Sequence, residues 1–150
     1  MSAFTWANIG KILALKPDLV LTISGLQADI VADLIRRGLN VHAFNQRTVA
    51  GIFAMIRMLG AIVDAGGRAE ELVRTLEARL TEARIRAERL PQRPKVFFEE
   101  WNNPLISGIG WVSELIEIAD GIDLFTDRRY QGAARDRVVT ADEVVAGNRI

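Results

Sequence analysis

The 150-residue sequence predicts an α/β fold, built as two incomplete parallel-sheet lobes joined by one long α-helix. Residues 68–90 contain no Gly or Pro and place a leucine at every fourth position (Leu72, Leu76 and Leu80). This pattern is typical of a strong amphipathic helix. Strand-then-helix patterns lie on both sides of it, but each side offers only two or three strands, too few for a sheet covered on both faces. We therefore divide the chain into a partial N-terminal lobe (1–67), a linking helix (68–91) and a partial C-terminal lobe (92–150).

The first lobe is predicted to begin with a helix and a buried strand. Asn8 can cap a short helix over residues 9–15. That helix ends before Pro17, because a proline pushes the preceding residue out of the α region. The apolar run from Leu19 to Ile23 is typical of a strand that is buried on both faces of a parallel sheet.

A second helix and a second strand complete a βαβ unit. Apolar residues at helical spacing predict a helix over 26–37, with Gly38 as its left-handed cap, and the next strand covers 40–44. Connections of this kind are almost always right-handed. Thr48 is then expected to start a helix that runs to about residue 64.

The second lobe shows a β pattern again after the linking helix. Its expected segments are a strand over 95–98, a polar loop over 99–104, a helix over 108–119 capped by Ser107, a short strand or turn over 122–125, and a loop over 128–137. Thr140 and Glu143 have the spacing of a capping box and open the last helix.

Composition excludes several classes of function. The chain has no cysteine, which excludes disulfides, thiolate nucleophiles and zinc–thiolate sites. Residues 95–150 hold six basic and ten acidic residues, so the sequence argues against a nucleic-acid groove and permits a basic protein partner there. His42 is the only histidine, and we predict no metal site. We see no leader at Met1 and no apolar run of 18 residues, so the chain as it stands is expected neither to be exported nor to span a bilayer.

The stretch from residue 95 to 111 carries the strongest functional signal. A predicted strand leads into Glu99, Glu100, Trp101, Asn102 and Asn103, at the carboxyl end of a sheet, where open α/β sheets bind ligands. An indole with a few polar groups suits a flat, partly apolar ligand that carries amides or carboxylates. The alternative is that the indole packs between the two halves of the protein and that the two asparagines simply form a turn.

Two other classes of function stay open. Glu99 or Glu100 could act as the base of an α/β hydrolase or transferase, although neighbouring strand residues point to opposite faces and no paired nucleophile follows. The second class is a purely structural module that dimerises through residues 68–90. The apolar stripe of this helix is, however, too short for the sustained heptads of a coiled coil. We favour a protein that is not an enzyme.

Two segments resemble a known family. Residues 8–20, NIGKILALKPDLV, and residues 98–119, FEEWNNPLISGIGWVSELIEIA, resemble periplasmic substrate-binding proteins of ABC importers for cobalamin, haem and ferric siderophores. The second segment is similar to members usually labelled cobalamin-binding. The resemblance implies two lobes joined by a rigid helix and a periplasmic solute-binding protein. Such a protein captures a corrinoid, haem or ferric siderophore in the cleft between its lobes and delivers it to a permease, the ligand being cargo and not a cofactor.

The resemblance also implies functional residues. The ligand is expected to contact the first lobe through Phe4, Trp6, Ile23 and Ser24, and the second through Glu100, Trp101, Asn102, Asn103, Tyr130 and Arg135. Family members usually dock onto permease arginines through one carboxylate per lobe. Asp142 matches the second-lobe position, whereas Gly10 stands at the first-lobe position.

The resemblance further implies a chain truncated at both ends. The opening strand and turn of the family are absent before Met1, and the chain stops at Ile150 where family members continue into another strand. We therefore expect impaired ligand binding. The uncovered sheet edges also suggest a homodimer, formed through those edges or by exchange of lobes.

Overall fold

The computed structural model describes residues 6–147, in which α-helices alternate with short strands. The helices are α1 (Ile9–Ala14), α2 (Ala28–Arg36), α3 (Val49–Ile62), α4 (Gly66–Ala87), α5 (Gly110–Ile118) and α6 (Ala141–Gly147). The strands are β1 (Val20–Ile23), β2 (Val41–Phe44), β3 (Lys95–Val96), β4 (Glu99–Asn102), β5 (Leu105–Ser107) and β6 (Ile122–Asp123). In these residues β1 and β2 pair in parallel, β3 and β6 pair in parallel, and β4 and β5 form an antiparallel hairpin. The predicted α/β class is confirmed.

The chain separates into two compact units, the first ending at Gln46 and the second beginning at Arg47. Helix α3, which we assigned to the N-terminal lobe, packs on α4 inside the second unit. The three-part division at residues 67 and 91 itself stays a prediction.

The first unit is the expected parallel βαβ unit. Val20 of β1 lies opposite Val41 of β2, and α2 connects the two strands. Gly38 ends this connection with a φ of +81°, the left-handed conformation that glycine adopts without steric cost. The side chain of Asn8 caps α1 by accepting a hydrogen bond from the Lys11 N–H at 3.0 Å. Both predicted caps are therefore present.

The prediction that β1 is buried on both faces is wrong. Leu21 and Ile23 alternate with less exposed residues and leave about half of their surface in water. The described residues place only one neighbouring strand beside β1. A continuous apolar run can therefore indicate a strand without showing that both of its faces are covered.

Helices α3 and α4 form the main helical layer of the second unit. The Thr48 hydroxyl caps α3 by accepting from the Gly51 N–H at 2.9 Å. Gly60 lets the helices approach closely, since a Cβ on this residue would lie 2.3 Å from the Ala69 Cβ. With 22 residues, α4 is about 33 Å long at 1.5 Å per residue, as the sequence predicts.

The packed stripe of α4 differs from the predicted one. Its buried residues include Ala69 and Val73, whereas Leu72 is exposed. The small residues face α3 because the crossing at Gly60 leaves no room for leucine. Glu82 forms an ion pair with Arg86 one turn later on α4, and Glu70 binds Arg57 of α3 at 2.8 Å.

The segment from 99 to 104 is a strand and a turn, not the polar loop that we expected. Its strand β4 pairs with β5, while the preceding predicted strand is shortened to Lys95–Val96. The peptide bond between Asn103 and Pro104 in the turn is cis. Polar residues form this strand because pairing with β5 satisfies their backbone, which outweighs their weak intrinsic preference for strands.

Ser107 does not cap α5. Helix α5 begins two residues later than predicted, with Ile109 at the N-cap and no side chain bonded there. The hydroxyl of Ser107 is buried and donates to the Arg137 carbonyl at 3.1 Å. Gly110 lies against the chain at Arg47, where a Cβ would come within 2.5 Å of the carbonyl oxygen, and this contact fixes the start of α5.

The capping box of α6 is confirmed. Glu143 accepts from the Thr140 N–H at 2.7 Å, and the Glu143 N–H donates to the Thr140 hydroxyl at 3.2 Å. None of the helices in residues 6–147 has both the length and the apolar character needed to cross a bilayer.

Candidate functional site

The β4–β5 hairpin holds four of the predicted ligand residues of the second unit, namely Glu100, Trp101, Asn102 and Asn103. Trp101 lies opposite Ile106 and Asn102 opposite Leu105, whereas Glu99 lies opposite Ser107. The register therefore leaves Glu100 as an extra residue, which makes it a β-bulge. Bulges bend a strand and redirect side chains, and they are frequent next to functional sites.

Trp101 presents its indole to solvent in a fixed position. Trp101 is 61% exposed, and the Nε1–H of its indole donates a hydrogen bond to the Asn103 carbonyl at 3.0 Å. The one polar group of the indole is therefore satisfied locally, and the apolar ring remains available. Trp101 is therefore not part of the core of the second unit, and the alternative in which it packs between the two halves of the protein stays open.

Glu100 is held by an arginine that the sequence analysis did not single out. Arg137 Nη1 lies 2.6 Å from Glu100 Oε2, and Arg137 Nη2 lies 3.1 Å from Oε1. The Arg137 side chain is 2% exposed, while that of Glu100 is 36% exposed. Because both carboxylate oxygens accept from the guanidinium, Arg137 neutralises the charge of Glu100.

No local signal marked Arg137 as important. It lies in the polar segment 128–137, which we predicted to be a loop. The 3₁₀ turn Ala134–Arg137 ends this segment, and another, Thr126–Arg128, leads into it. The partner of Arg137 is 37 residues away in the sequence. A buried ion pair between such distant residues forms only when the tertiary structure brings them together.

The segment after the second 3₁₀ turn runs along the hairpin. Val138 forms a bridge with Ile106, and the Val139 N–H donates to the Leu105 carbonyl at 2.9 Å. Arg135 is two residues before Arg137, which places its backbone within about 7 Å of the hairpin's anchor. Its own side chain is exposed and lies 3.7 Å from Asp136.

Tyr130 lies earlier in the same segment and is highly exposed. Its hydroxyl accepts from Arg129 Nη2 at 2.8 Å, and this bond raises the pKa of the Arg129 guanidinium. The ring is thus held by its neighbour while its surface stays in water. The role of Tyr130 and Arg135 in ligand binding stays a prediction.

The first unit contributes three described residues from the predicted set, Trp6, Ile23 and Ser24. Trp6 is exposed, and Ser24 follows β1 with a φ of +70°, its hydroxyl accepting from the Leu26 N–H at 3.3 Å. Ile23, which precedes it, is also exposed. Phe4 lies outside the described residues. A ligand role for these residues stays a prediction.

Asp142 and Glu143 are adjacent carboxylates with different environments. Glu143 is used by the capping box and by an ion pair with Arg128. The Thr140 N–H, followed by the Thr140 hydroxyl, holds the pKa of the Glu143 carboxyl below its ordinary value. Asp142, in contrast, makes no hydrogen bond or ion pair with any residue between 6 and 147. Its carboxylate faces water at the first turn of α6.

Two surface hollows of the described chain are lined by residues other than the predicted ligand residues. A hollow of about 280 Å³ is lined by Lys95, Phe97, Leu124, Val144 and Val145. Another, of about 540 Å³, lies along one side of α4. On the hairpin, all four residues of β4 are exposed, Trp101 among them. In residues 6–147 no group of three or more His, Cys, Asp or Glu side chains is placed to hold a metal ion.

Comparison with known proteins gives one family and several similar folds. The family model described as periplasmic binding protein matches residues 2–142. An ABC transporter substrate-binding protein from Listeria monocytogenes EGD-e is similar with a TM-score of 0.74 and 19% identity, over 93% of this chain and 54% of that one. No curated protein matches the sequence.

Two further solved structures have the same fold. The periplasmic vitamin B12 binding protein of Vibrio cholerae matches with a TM-score of 0.72 and 24% identity, over 97% of this chain and 56% of its own. The periplasmic haem-binding protein of Roseiflexus sp. RS-1 matches with a TM-score of 0.73 and 20% identity, over 93% and 54%. The chain therefore spans little more than half the length of these proteins.

Proposed function

This chain belongs to the periplasmic binding protein family, and we propose that it is the solute-binding part of an ABC import system. Its cargo is cobalamin or a similar corrinoid or metal chelate, which it delivers to a permease. The proposed location is the periplasm or another extracytoplasmic space, in line with other family members.

The fixed, exposed indole of Trp101 carries this proposal. An apolar ring that is held on a strand and left in water loses little side-chain entropy when a ligand covers it. A flat macrocycle offers a surface of matching shape, and contact between the two would remove apolar area from water. The geometry of the hairpin thus favours a large planar ligand over a small polar solute.

Polar groups beside the indole favour a ligand with amides or carboxylates at its edge. Asn102 and Asn103 are exposed on the same hairpin and offer amide donors and acceptors. Arg135 adds an exposed guanidinium, suited to a carboxylate. Since Arg137 neutralises Glu100, this carboxylate does not require a cationic ligand.

Titration of the chain with cyanocobalamin, haem and a ferric siderophore tests the proposal. We expect weak binding of one of these ligands, measurable as heat and as a change in its absorbance, in line with the impaired binding expected from the sequence. The variant Trp101→Ala should weaken binding by about tenfold or more, because exposed aromatic anchors dominate such contacts. Trp101→Phe should retain part of the affinity, and Leu72→Ala on α4 is the matched control for loss of an exposed apolar side chain. Absence of binding by all three ligands would contradict the proposal.

Delivery to a permease is proposed to use Asp142. Its carboxylate has no partner between residues 6 and 147, so an arginine of another protein can bind it without first breaking an internal contact. We expect Asp142→Asn to reduce ligand uptake by cells that carry the complete transporter while leaving ligand affinity unchanged. Asp127→Asn, another exposed carboxylate of the second unit, should leave uptake unchanged. Equal uptake by Asp142→Asn and the parent chain would exclude this role.

The hydrolase or transferase alternative is not supported. Relatives in this family are binding proteins, and both carboxylate oxygens of Glu100 already accept hydrogen bonds from Arg137. The homodimer that we expected has no support in the comparisons and is not part of the proposal.

A further inference from the structure

Arg137 is the most deeply buried charged residue of the described chain, and its contacts point to a specific task. Burying a guanidinium away from water is costly unless hydrogen bonds and an opposite charge compensate it. Here the compensation comes from both strands of one hairpin, because Arg137 donates to Glu100 of β4 and to the Ser107 carbonyl of β5. Its own carbonyl accepts from the Ser107 hydroxyl.

One hydrogen-bond donor of the buried Arg137 side chain is unsatisfied by the described residues. The Nε–H of Arg137 has no hydrogen-bond partner among residues 6–147, although the atom is buried. Buried polar groups without a partner are rare and are retained where another constraint outweighs their cost. The constraint evident here is the fork of Nη1 and Nη2 on Glu100, which requires this orientation of the guanidinium.

The two Arg137 nitrogens bind the residue that forms the β-bulge. Glu100 is the extra residue of β4, and the next residue is Trp101. A bulge leaves one residue without a ladder partner and bends the strand, so the side chains beside it are redirected. A bidentate ion pair at the bulge therefore determines how the residue after it is presented.

We propose that Arg137 is a positioning residue: by clamping Glu100 it locks the β4–β5 bulge and so fixes the Trp101 indole for ligand binding. This inference rests on the proposed function for its ligand, but the clamp itself can be tested without one. Arg137 acts through Glu100 and does not touch the ligand, because its side chain is 2% exposed.

Hydrogen exchange of the free protein tests the clamp. The variants are Arg137→Met, which removes the charge at similar length, Arg137→Lys, which keeps the charge but not the fork, and Glu100→Gln, which changes only the partly exposed partner. We expect amides of residues 99–107 to exchange about tenfold faster in Arg137→Met and Glu100→Gln, a factor typical of coupling between contacting residues. Amides of α4 should keep their rates, and Arg137→Lys should restore part of the protection.

The control pair is Arg57→Met and Glu70→Gln, which removes an ion pair between α3 and α4 and should leave hairpin exchange unchanged. If Arg137→Met fails to fold, Glu100→Gln still decides the matter, since its side chain is at the surface and keeps one acceptor oxygen. Hairpin exchange equal to that of the parent chain, or faster exchange throughout the second unit, would overturn the clamp.

Titration with cyanocobalamin, haem and the ferric siderophore separates the two proposals. If the clamp and the function are both correct, Glu100→Gln and Arg137→Met each weaken ligand binding about tenfold without changing the fold. The double variant then weakens binding no further than either single variant, because both substitutions remove the same ion pair. If the parent chain binds none of the three while hairpin exchange responds to the variants, the function fails and the clamp stands. If the parent binds and the variants bind equally well, the positioning role is wrong.

Discussion

Two arginine–glutamate pairs of the second unit have nearly the same contact distances and very different surroundings. Arg57 binds Glu70 at 2.8 Å between α3 and α4, with both side chains more than two-fifths exposed. Arg137 binds Glu100 at 2.6 Å with its guanidinium almost completely buried. Exposed pairs contribute little because water solvates either partner equally well, whereas a buried partner depends on its counter-ion. Burial, and not contact distance, therefore determines which pair the fold requires.

The largest expected effect comes from removing only one partner of the buried pair. Glu100→Ala leaves a buried guanidinium without its counter-ion and should cost about 3 kcal/mol of unfolding free energy, the lower end of the range for buried pairs because Glu100 is partly exposed. Arg137→Met leaves a carboxylate that water can reach and should cost clearly less. Urea unfolding of both variants measures the difference. Equal losses would mean that the two partners depend on each other equally and that burial does not set the cost.

A packing contact near the exposed pair should come second. Gly60→Ala forces a Cβ toward the Ala69 Cβ at 2.3 Å and should destabilise the chain by about 2 kcal/mol through overpacking. The double variant Gly60→Ala with Ala69→Gly should recover most of this loss, apart from the helix cost of the new glycine. Thermal unfolding of the two variants measures the effect. No recovery in the double variant would show that the strain arises elsewhere, with the Ala65 carbonyl as the next contact at 3.3 Å.

The capping box of α6 gives a smaller effect that depends on pH. Thr140→Ala removes an N-cap and should cost about 1 kcal/mol. Glu143 has a lowered pKa when folded, so its contribution is complete above the ordinary carboxyl pKa and is lost as the pH falls through the folded value. Unfolding measured from neutral to acid pH should show this loss in the parent chain and a weaker one in Thr140→Ala. A loss of the same size in both chains would exclude the Thr140 hydroxyl as its source and leave the Thr140 N–H, which the variant keeps, as the group that lowers this pKa.

The smallest effect is expected at the exposed pair. Arg57→Gln should change the melting temperature only slightly, and the change should disappear as salt is raised. The hydrogen bond from Arg57 lowers the pKa of Glu70, so the contribution of this pair is also present above the ordinary carboxyl pKa and lost in acid. Melting curves at low and high salt measure it. A salt-independent loss would mean that the arginine stem contributes by packing and not by charge.

Several elements were predictable because their signals are local. The caps at Asn8, Thr48 and Thr140, the left-handed Gly38 and the length of α4 all follow from residues close in sequence, and the structure confirms each of them. The hairpin residues were recognised as a candidate site from their chemistry, but their secondary structure was predicted incorrectly. Strand formation over Glu99–Asn102 requires β5, and polar residues alone do not indicate it.

The sequence by itself determined the local conformations and the family resemblance. Each of these signals, whether helical periodicity, a cap or one of the segments 8–20 and 98–119, consists of residues that are close together in the chain. Only the tertiary structure decided which leucine of α4 is exposed, that Ser107 serves Arg137 instead of α5, and that Glu100 is clamped at a bulge. These features depend on contacts between residues 30 or more positions apart or on the close crossing of two helices. Burial sets the strength of such contacts, and burial is a property of the folded chain as a whole.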